Sequence, residues 1–368
     1  MALDTGSASF RMIELPRKLP VDWGHRFAAR AAGALEGVTD EESVGWVTSR
    51  HLLDVAISEE SAMVGGYIHL VLRIAQRKVP ATLLRAECKL EELAVMAADG
   101  KHFLKAKDRA EIRQSVVERL LPNMPPQLKA IPIVMAPDET YLFAGATSEK
   151  QTDQVVALLA STLGMAPEPS DPGVLAALVR PGTEVEDLVG LSFSPEMPEA
   201  EMEPAPGREF LTWLWFVADT HNGSLTLADG RELGVLLEGP LTFINEGEGA
   251  YVTSLRKGMP ETSLEAKSCL LAGKKLSSAK LTFALDDEHI WSFQADGDLF
   301  SFRGMKLPKG EGADPIGRFQ DRMAAFADWR AIWLDLYGQF LDRRTNAAAW
   351  RKEVKKLREW VAGRPARR

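Results

Sequence analysis

Apolar and polar positions change period several times along the chain, and these changes mark out its elements. Phe10 to Leu15 and Val44 to Val47 are short apolar runs of the kind strands carry. Between them Phe27, Ala28, Ala31 and Leu35 recur at helical spacing, which predicts a helix over Val21 to Glu36 with Asp22 as its N-cap. Met63 to Ala75 is rich in β-branched and apolar residues around Gly65-Gly66 and reads as a strand or hairpin. Leu83, Leu84, Leu90 and Leu93 predict a helix over Ala81 to Met96. Ile112, Val116, Val117 and Leu120 predict a second over Asp108 to Leu121, stopped by Pro122. Between the two helices lies the loop Asp99-Gly100-Lys101-His102. Val79-Pro80 parts the pair from the strand before it, because the residue preceding a proline is driven out of the helical region. Ala130 to Ala136 and Thr140 to Ala144 read as a hairpin across Pro137-Asp138. Ser148 to Leu163 is a helix with a capping serine, an apolar stripe through Val155, Leu159 and Leu163, and Gly164 as its stop.

Proline-rich Met165 to Pro172 divides the chain, and Pro195 to Gly207 reads as an acidic, exposed loop. Arg208 to Ala218, with Phe210, Trp213, Trp215 and Phe216, is apolar enough to be a core helix. Strand signals follow at Ser224 to Leu227, Gly234 to Leu237, Leu241 to Phe243, Lys280 to Leu285, Ile290 to Ala295 and Leu299 to Phe302, interrupted by a helix over Ser263 to Ala272. Ile316 to Leu341 is a long amphipathic helix. Trp350 to Trp360 is a basic one, with Trp350, Val354, Leu357 and Val361 on one stripe. The pattern predicts an α+β protein in parts: an α/β centre domain over 1–165 with a helical tip inserted at about 79–125, a mixed base over 170–342, and a basic C-terminal helix and tail over 343–368.

Composition supports a chain that buries a real core: 368 residues, 45% hydrophobic and 26% charged. No apolar run approaches the roughly 20 residues of a membrane helix, so no membrane partner is expected. No apolar stretch follows a basic start, so no secretory leader is expected. Cys88 and Cys269 lack the spacing of a zinc or redox pair and read as buried, reduced thiols of a cytoplasmic protein.

Charge alters the picture more. The net charge of −8 argues against a simple nucleic-acid binder, yet the charges are segregated. Leu70 to Ala130 holds 12 Lys/Arg against 7 Asp/Glu, and Arg343 to Arg368 holds 10 against 2, whereas Ala136 to Glu265 holds 6 against 22. Such a chain offers basic surfaces while remaining acidic overall.

Catalytic signatures are missing from the sequence. Gly273-Lys274 lacks the upstream glycine of a phosphate-binding loop, and there is no HExxH, GxSxG or metal-spaced Cys/His set. Asp286-Asp287-Glu288-His289 reads as a hairpin turn with solvated carboxylates rather than a cation site. Pro137-Asp138 with Glu265-Ala266-Lys267 satisfies only a loose nuclease pattern, its pieces lying in different predicted domains. Trp213 and Trp215, amid Leu211, Leu214, Phe216 and Val217, are read as core rather than as a base-stacking platform. No enzyme, metal or cofactor is expected.

The order of elements resembles the RdgC family of recombination-associated proteins. Gly45-Trp46-Val47, the β segment running into Lys78-Val79-Pro80, the basic helix pair ending at Leu120-Leu121-Pro122, Tyr141-Leu142-Phe143 and the helix ending at Leu163-Gly164 occur in the family's order and at similar lengths. Glu265-Ala266 to Ala272-Gly273-Lys274, followed by Leu276 to Leu285 and the hairpin to Phe302, continues the resemblance, which spans roughly residues 10 to 342. It implies a crescent-shaped subunit that forms a homodimeric ring around double-stranded DNA in the nucleoid. It also implies restraint of the recombinase RecA by competition for DNA. A ring that reads only phosphates needs inward cations and no base-edge chemistry.

Under this resemblance the expected DNA contacts are Arg73, Arg77, Lys78, Lys105, Lys107, Arg113, Arg256 and Lys257. Arg256-Lys257-Gly258 maps near a DNA-facing finger, and the tail beyond Leu341 is an extension of this chain. The family's dimer contact after Leu-Leu-Pro carries basic and aromatic residues. Here the segment is Asn123-Met124-Pro125-Pro126, in which Met124 supplies the apolar contact. The alternatives are a scaffold that binds a protein partner through the acidic base and, from a third class, a nuclease.

Overall fold

The computed structural model describes residues 3–100, 102–185, 188–197, 203–221, 223–245 and 252–363. Strand β1 (Ala8–Glu14) and helix α1 (Trp23–Ala29) lead to β2 (Ser43–Thr48), the single turn α2 (Glu59–Ala62) and the hairpin of β3 (Met63–Val64) and β4 (Tyr67–Gln76). Helices α3 (Ala81–Asp99) and α4 (Ala106–Leu120) stand between β4 and β5 (Gln127–Met135). The first half ends with β6 (Tyr141–Ala144), α5 (Glu149–Leu163), β7 (Glu168–Pro169) and α6 (Pro172–Val179). The second half comprises α7 (Pro206–Thr220), β8 (Ser224–Thr226), β9 (Glu232–Ile244), β10 (Val252–Leu255), α8 (Leu264–Leu271), β11 (Lys275–Ala284), β12 (Ile290–Asp296), β13 (Ser301–Lys306), α9 (Pro315–Thr345) and α10 (Ala347–Ala362).

The fold is mixed α+β, and one antiparallel sheet runs through both halves in the order β10-β9-β11-β12-β13-β1-β6-β5-β4-β2. The N-terminal strand is the seam. On one side Phe10 pairs with Phe302 of β13, and on the other Met12 pairs with Phe143 of β6. The sheet therefore crosses the proline-rich stretch that divides the sequence.

Helix α9 supplies the main cover. Phe319, Met323, Phe326, Trp329, Trp333, Tyr337 and Phe340 recur at three- and four-residue spacing and are buried as one stripe. Trp329 and Trp333 meet Phe302 with ring centroids at 4.4 and 4.9 Å, both edge to face, the arrangement aromatic quadrupoles prefer. The other core of the first half lies under α1 and α5, where Ile68, Leu70, Leu72 and Ile74 alternate along β4 to face Val155, Leu159 and Leu163. Ser148 caps α5 and Gly164 closes it in the left-handed conformation (φ +65°), which costs a glycine no steric strain.

Several elements differ from the sequence expectation. Helix α1 ends at Ala29 rather than continuing to Glu36. The cause is tertiary: Trp46 takes the carbonyl of Arg30 and gives its own to Ala32, drawing the chain out of the helix into a bridge beside β2. Gly45 permits this approach, since a Cβ there would stand 2.4 Å from Ala32 Cα. Asp22 makes no side-chain cap bond and instead accepts from Arg26 Nε at 2.9 Å. The two strand signals around Gly239-Pro240 belong to one 13-residue strand, β9. Helix α6 and strand β10 had no predicted counterpart. Within the predicted domains, residues 1–2, 101, 186–187, 198–202, 222, 246–251 and 364–368 lie outside the described residues.

Candidate nucleic-acid interface

The tip emerges where β4 gives way to α3. Val79-Pro80 ends the strand, and α3 and α4 pack against each other around Val79, Leu84 and Val116. The flanking Cys88, Ile112, Val117, Leu120, Leu121 and Met124 are only partly buried. Arg119 ties the helices together across the outer face, donating to Glu87 at 3.2 Å and Glu91 at 2.7 Å.

At the base of this hairpin is a cleft of about 430 Å³ that gathers four cations, Arg77, Lys78, Arg85 and Arg113, with Asp40 as its acidic lining residue. Lys78, Arg85 and Arg113 are exposed and have no acidic partner among the described residues. Arg77 has a different task. Its Nε donates to Val38 O at 2.8 Å and its Nη1 to the carbonyls of Pro122 and Met124, clamping the turn after α4 onto the loop before β2. Carbonyls orient a guanidinium without cancelling its charge, so Arg77 adds to the field of the cleft while holding its walls.

The other expected contacts lie elsewhere. Lys105 and Lys107 sit at the far end of the tip, at the start of α4. The Lys105 backbone N–H donates to Asp108 at 3.2 Å, and Lys107 lies 3.8 Å from Glu111. Arg73 is inside the protein, 2% exposed, donating to the carbonyls of Leu52 and Gly33. Burial lowers its pKa, and β4, covered on both faces at this point, offers it no route to a phosphate. Arg256 and Lys257 are exposed in the loop after β10, at the opposite end of the sheet from β4. Arg256 Nε donates to Ser254 Oγ at 3.2 Å.

Met124, the expected dimer contact, folds back onto the tip's own apolar cluster. Open apolar surface lies instead on α3, where Leu83, Leu90 and Leu93 are exposed, and on the connecting loop, where Phe103 is 74% exposed. Arg85 was not singled out from the sequence. Its signal was present, one helical turn beyond Ala81, but only the packing of α3 on α4 shows that it lines one cleft with Lys78 and Arg113.

The remaining sequence candidates are structural. Asp286 accepts from the backbone N–H groups of Glu288 and His289 in the turn between β11 and β12. Trp213 and Trp215 are core, 1% and 3% exposed. Cys88 and Cys269 are free thiols, and of the two only Cys269 is buried as expected, Cys88 lying half-buried at the edge of the tip's small core. Lys267 of the loose nuclease pattern is buried, donating to Trp360 O at 3.0 Å. No group of three or more His, Cys, Asp or Glu that could hold a metal ion occurs among the described residues. No helix among them is long and apolar enough to cross a membrane.

Fold and site together define a mixed α+β protein whose projecting helical hairpin carries unpaired surface cations around a cleft. Residues 29–172, a stretch that contains the entire tip and cleft, match the family model described as "Putative exonuclease, RdgC". Over that segment the chain is similar to the RdgC family, and the match supports a recombination-related role.

Proposed function

We propose that the protein binds double-stranded DNA without sequence preference, acting as a ring-shaped homodimer that restrains RecA-dependent recombination by occupying the DNA, with no catalytic chemistry of its own. The observation that carries this reading is the cleft at the base of the tip, where Lys78, Arg85 and Arg113 stand exposed without acidic partners among the described residues. Unpaired cations on a rigid element suit phosphates, which demand charge and donors but carry no sequence information. The apolar face of α3 supports the dimer: Leu83, Leu90 and Leu93 with Phe103 form surface that a second copy would cover.

The family description includes the word exonuclease. Here the acidic residues of the loose nuclease pattern are carried by separate elements, Asp138 in the turn between β5 and β6 and Glu265 in the first turn of α8. The reading of the protein as non-enzymatic is tested by incubating it with labelled duplex and Mg²⁺: cleavage abolished by Asp138→Ala or Glu265→Ala overturns it.

DNA binding is tested by salt titration with two unrelated duplexes. Replacing Lys78, Arg85 and Arg113 by alanine should lower the slope of log K against log salt by about 0.9 for every phosphate that is no longer neutralised, equally for both sequences. An unchanged slope in a folded variant removes the cleft from the interface. In the same series, Leu90→Asp should shift the sedimenting species from dimer to monomer.

A further inference from the structure

The C-terminal helix lies outside the matched segment, and its placement is specific. Asn346 caps it, accepting from the backbone N–H groups of Ala348 and Ala349. Trp350, Val354, Leu357 and Val361 are buried along one stripe. Hydrogen bonds hold both ends of that stripe: Glu353 accepts from Trp213 Nε1 at 3.1 Å, Trp360 Nε1 donates to Asp219 at 2.7 Å, and Arg358 Nη2 donates to Ser192 O at 2.9 Å. The helix is therefore fixed by apolar packing and a few directed bonds.

Four of its cations take no part in that anchoring. Arg351, Lys352, Lys355 and Lys356 are all exposed, at spacings that put them on one outward face. The body beneath is rich in acids, yet the only ion pair among the described residues that any of the four makes is within the helix, Lys356 to Glu353 at 4.0 Å. Glu353 is turned inward to Trp213, and Glu359 stands on the outward face one turn beyond the cations. The two rows, 351 with 355 and 352 with 356, each repeat every four residues, about 6 Å along a helix axis. Neighbouring cations can thus address neighbouring phosphates. By contrast Arg344, counted with the basic tail in sequence, is buried and donates to Glu209 Oε2 at 2.6 Å.

We infer that the outward face of α10, formed by Arg351, Lys352, Lys355 and Lys356, is a second binding surface for the phosphate backbone of duplex DNA, separate from the tip. The inference rests on the DNA-binding reading above. Anchoring by apolar residues leaves four exposed cations on a rigid helix, of which only Lys356 makes an ion pair among the described residues, and that at 4.0 Å; such a face is the arrangement a polyanion selects.

The test uses the full chain with Arg351, Lys352, Lys355 and Lys356 all changed to glutamine, beside a variant in which Arg351→Lys, Lys352→Arg, Lys355→Arg and Lys356→Arg keep the charge. Duplex affinity is measured from low to high salt, with melting temperature and sedimentation as controls. The glutamine variant should lose about ten-fold or more in affinity at low salt and about 1.8 to 3.6 units of salt slope, for two to four phosphates at about 0.9 each. The charge-keeping variant should match the wild type. If the wild type binds and the glutamine variant binds equally with the same slope, the α10 surface is overturned and the tip reading stands. If the wild type binds no duplex, both fall. Charge-dependent binding to phosphatidylserine vesicles, with duplex binding unchanged in the glutamine variant, also overturns the inference and assigns the face to a membrane surface.

Discussion

The helical tip and the sheet beneath α9 are built from the same alphabet to opposite ends. The tip encloses three buried side chains, Val79, Leu84 and Val116, and leaves Leu90, Leu93 and Phe103 open. Beneath α9, Phe10, Phe143, Phe293, Phe302, Trp329 and Trp333 form a continuous aromatic cluster from both halves of the chain. Ionic groups follow the same division. The tip's pairs are on the surface, where each adds little. In the base Glu209, fully buried, accepts from Lys275 at 3.2 Å and Arg344 at 2.6 Å, a set that breaks as a unit if one member is removed. The difference teaches that the base holds the molecule in one shape and the tip presents surface. A thin core suffices for the tip because β4 and β5 anchor both its ends.

The contrast should be sharpest at Trp333, which meets Phe210, Phe300 and Phe302 at ring distances of 5.1, 5.2 and 4.9 Å. Trp333→Ala should cost roughly 3–5 kcal/mol, enough to unfold much of the population, and should lower the denaturation midpoint of every probe together. If tip and base report different midpoints in this variant, the aromatic cluster is not the common support.

A second effect is read from pH. Burial pulls the Lys267 ammonium down to about 7, with Asp219 acting in the opposite sense. Below pH 7 both folded and unfolded chains carry the proton, and the cost of burying it is felt in full. Between about pH 7 and the ordinary lysine value of about 10.4, the unfolded chain keeps a proton that the folded chain has released, so stability rises with pH, by at most about 1.4 kcal/mol per unit. The face of Trp360, 3.0 Å from the ammonium, favours the charged form and moderates the rise. Urea denaturation at pH 7 and pH 9.5 should show this increase in the wild type and a smaller one in Lys267→Met. Equal increases would remove Lys267 from the pH response.

The smallest effect is expected in the tip. Val116→Ala should cost about 1–3 kcal/mol. The loss should appear as faster amide exchange confined to α3 and α4, with the global midpoint nearly unmoved. A midpoint shift as large as that of Trp333→Ala would show that the tip and the base fold as one unit.

The chain alone determined most of its helices and strands and the segregation of its charge, because those depend on local periodicity, caps and composition. Helix α5, with Ser148 and Gly164 at its ends, is legible from its own residues, as are the paired tip helices and the docking stripe of α10. Tertiary structure alone decided which cations face water. Arg73, Arg77 and Lys78 stand within six residues of one another, yet the first is inside the sheet, the second is a clamp and the third is open to solvent. It also decided that Arg85 and Arg113 line one cleft, that Arg344 leaves the basic tail for Glu209, and that β1 joins the two halves by lying between β13 and β6. The physical reason is the same in each case. A side chain's exposure and a strand's neighbours are set by segments distant in sequence, and no local pattern records which of them will arrive.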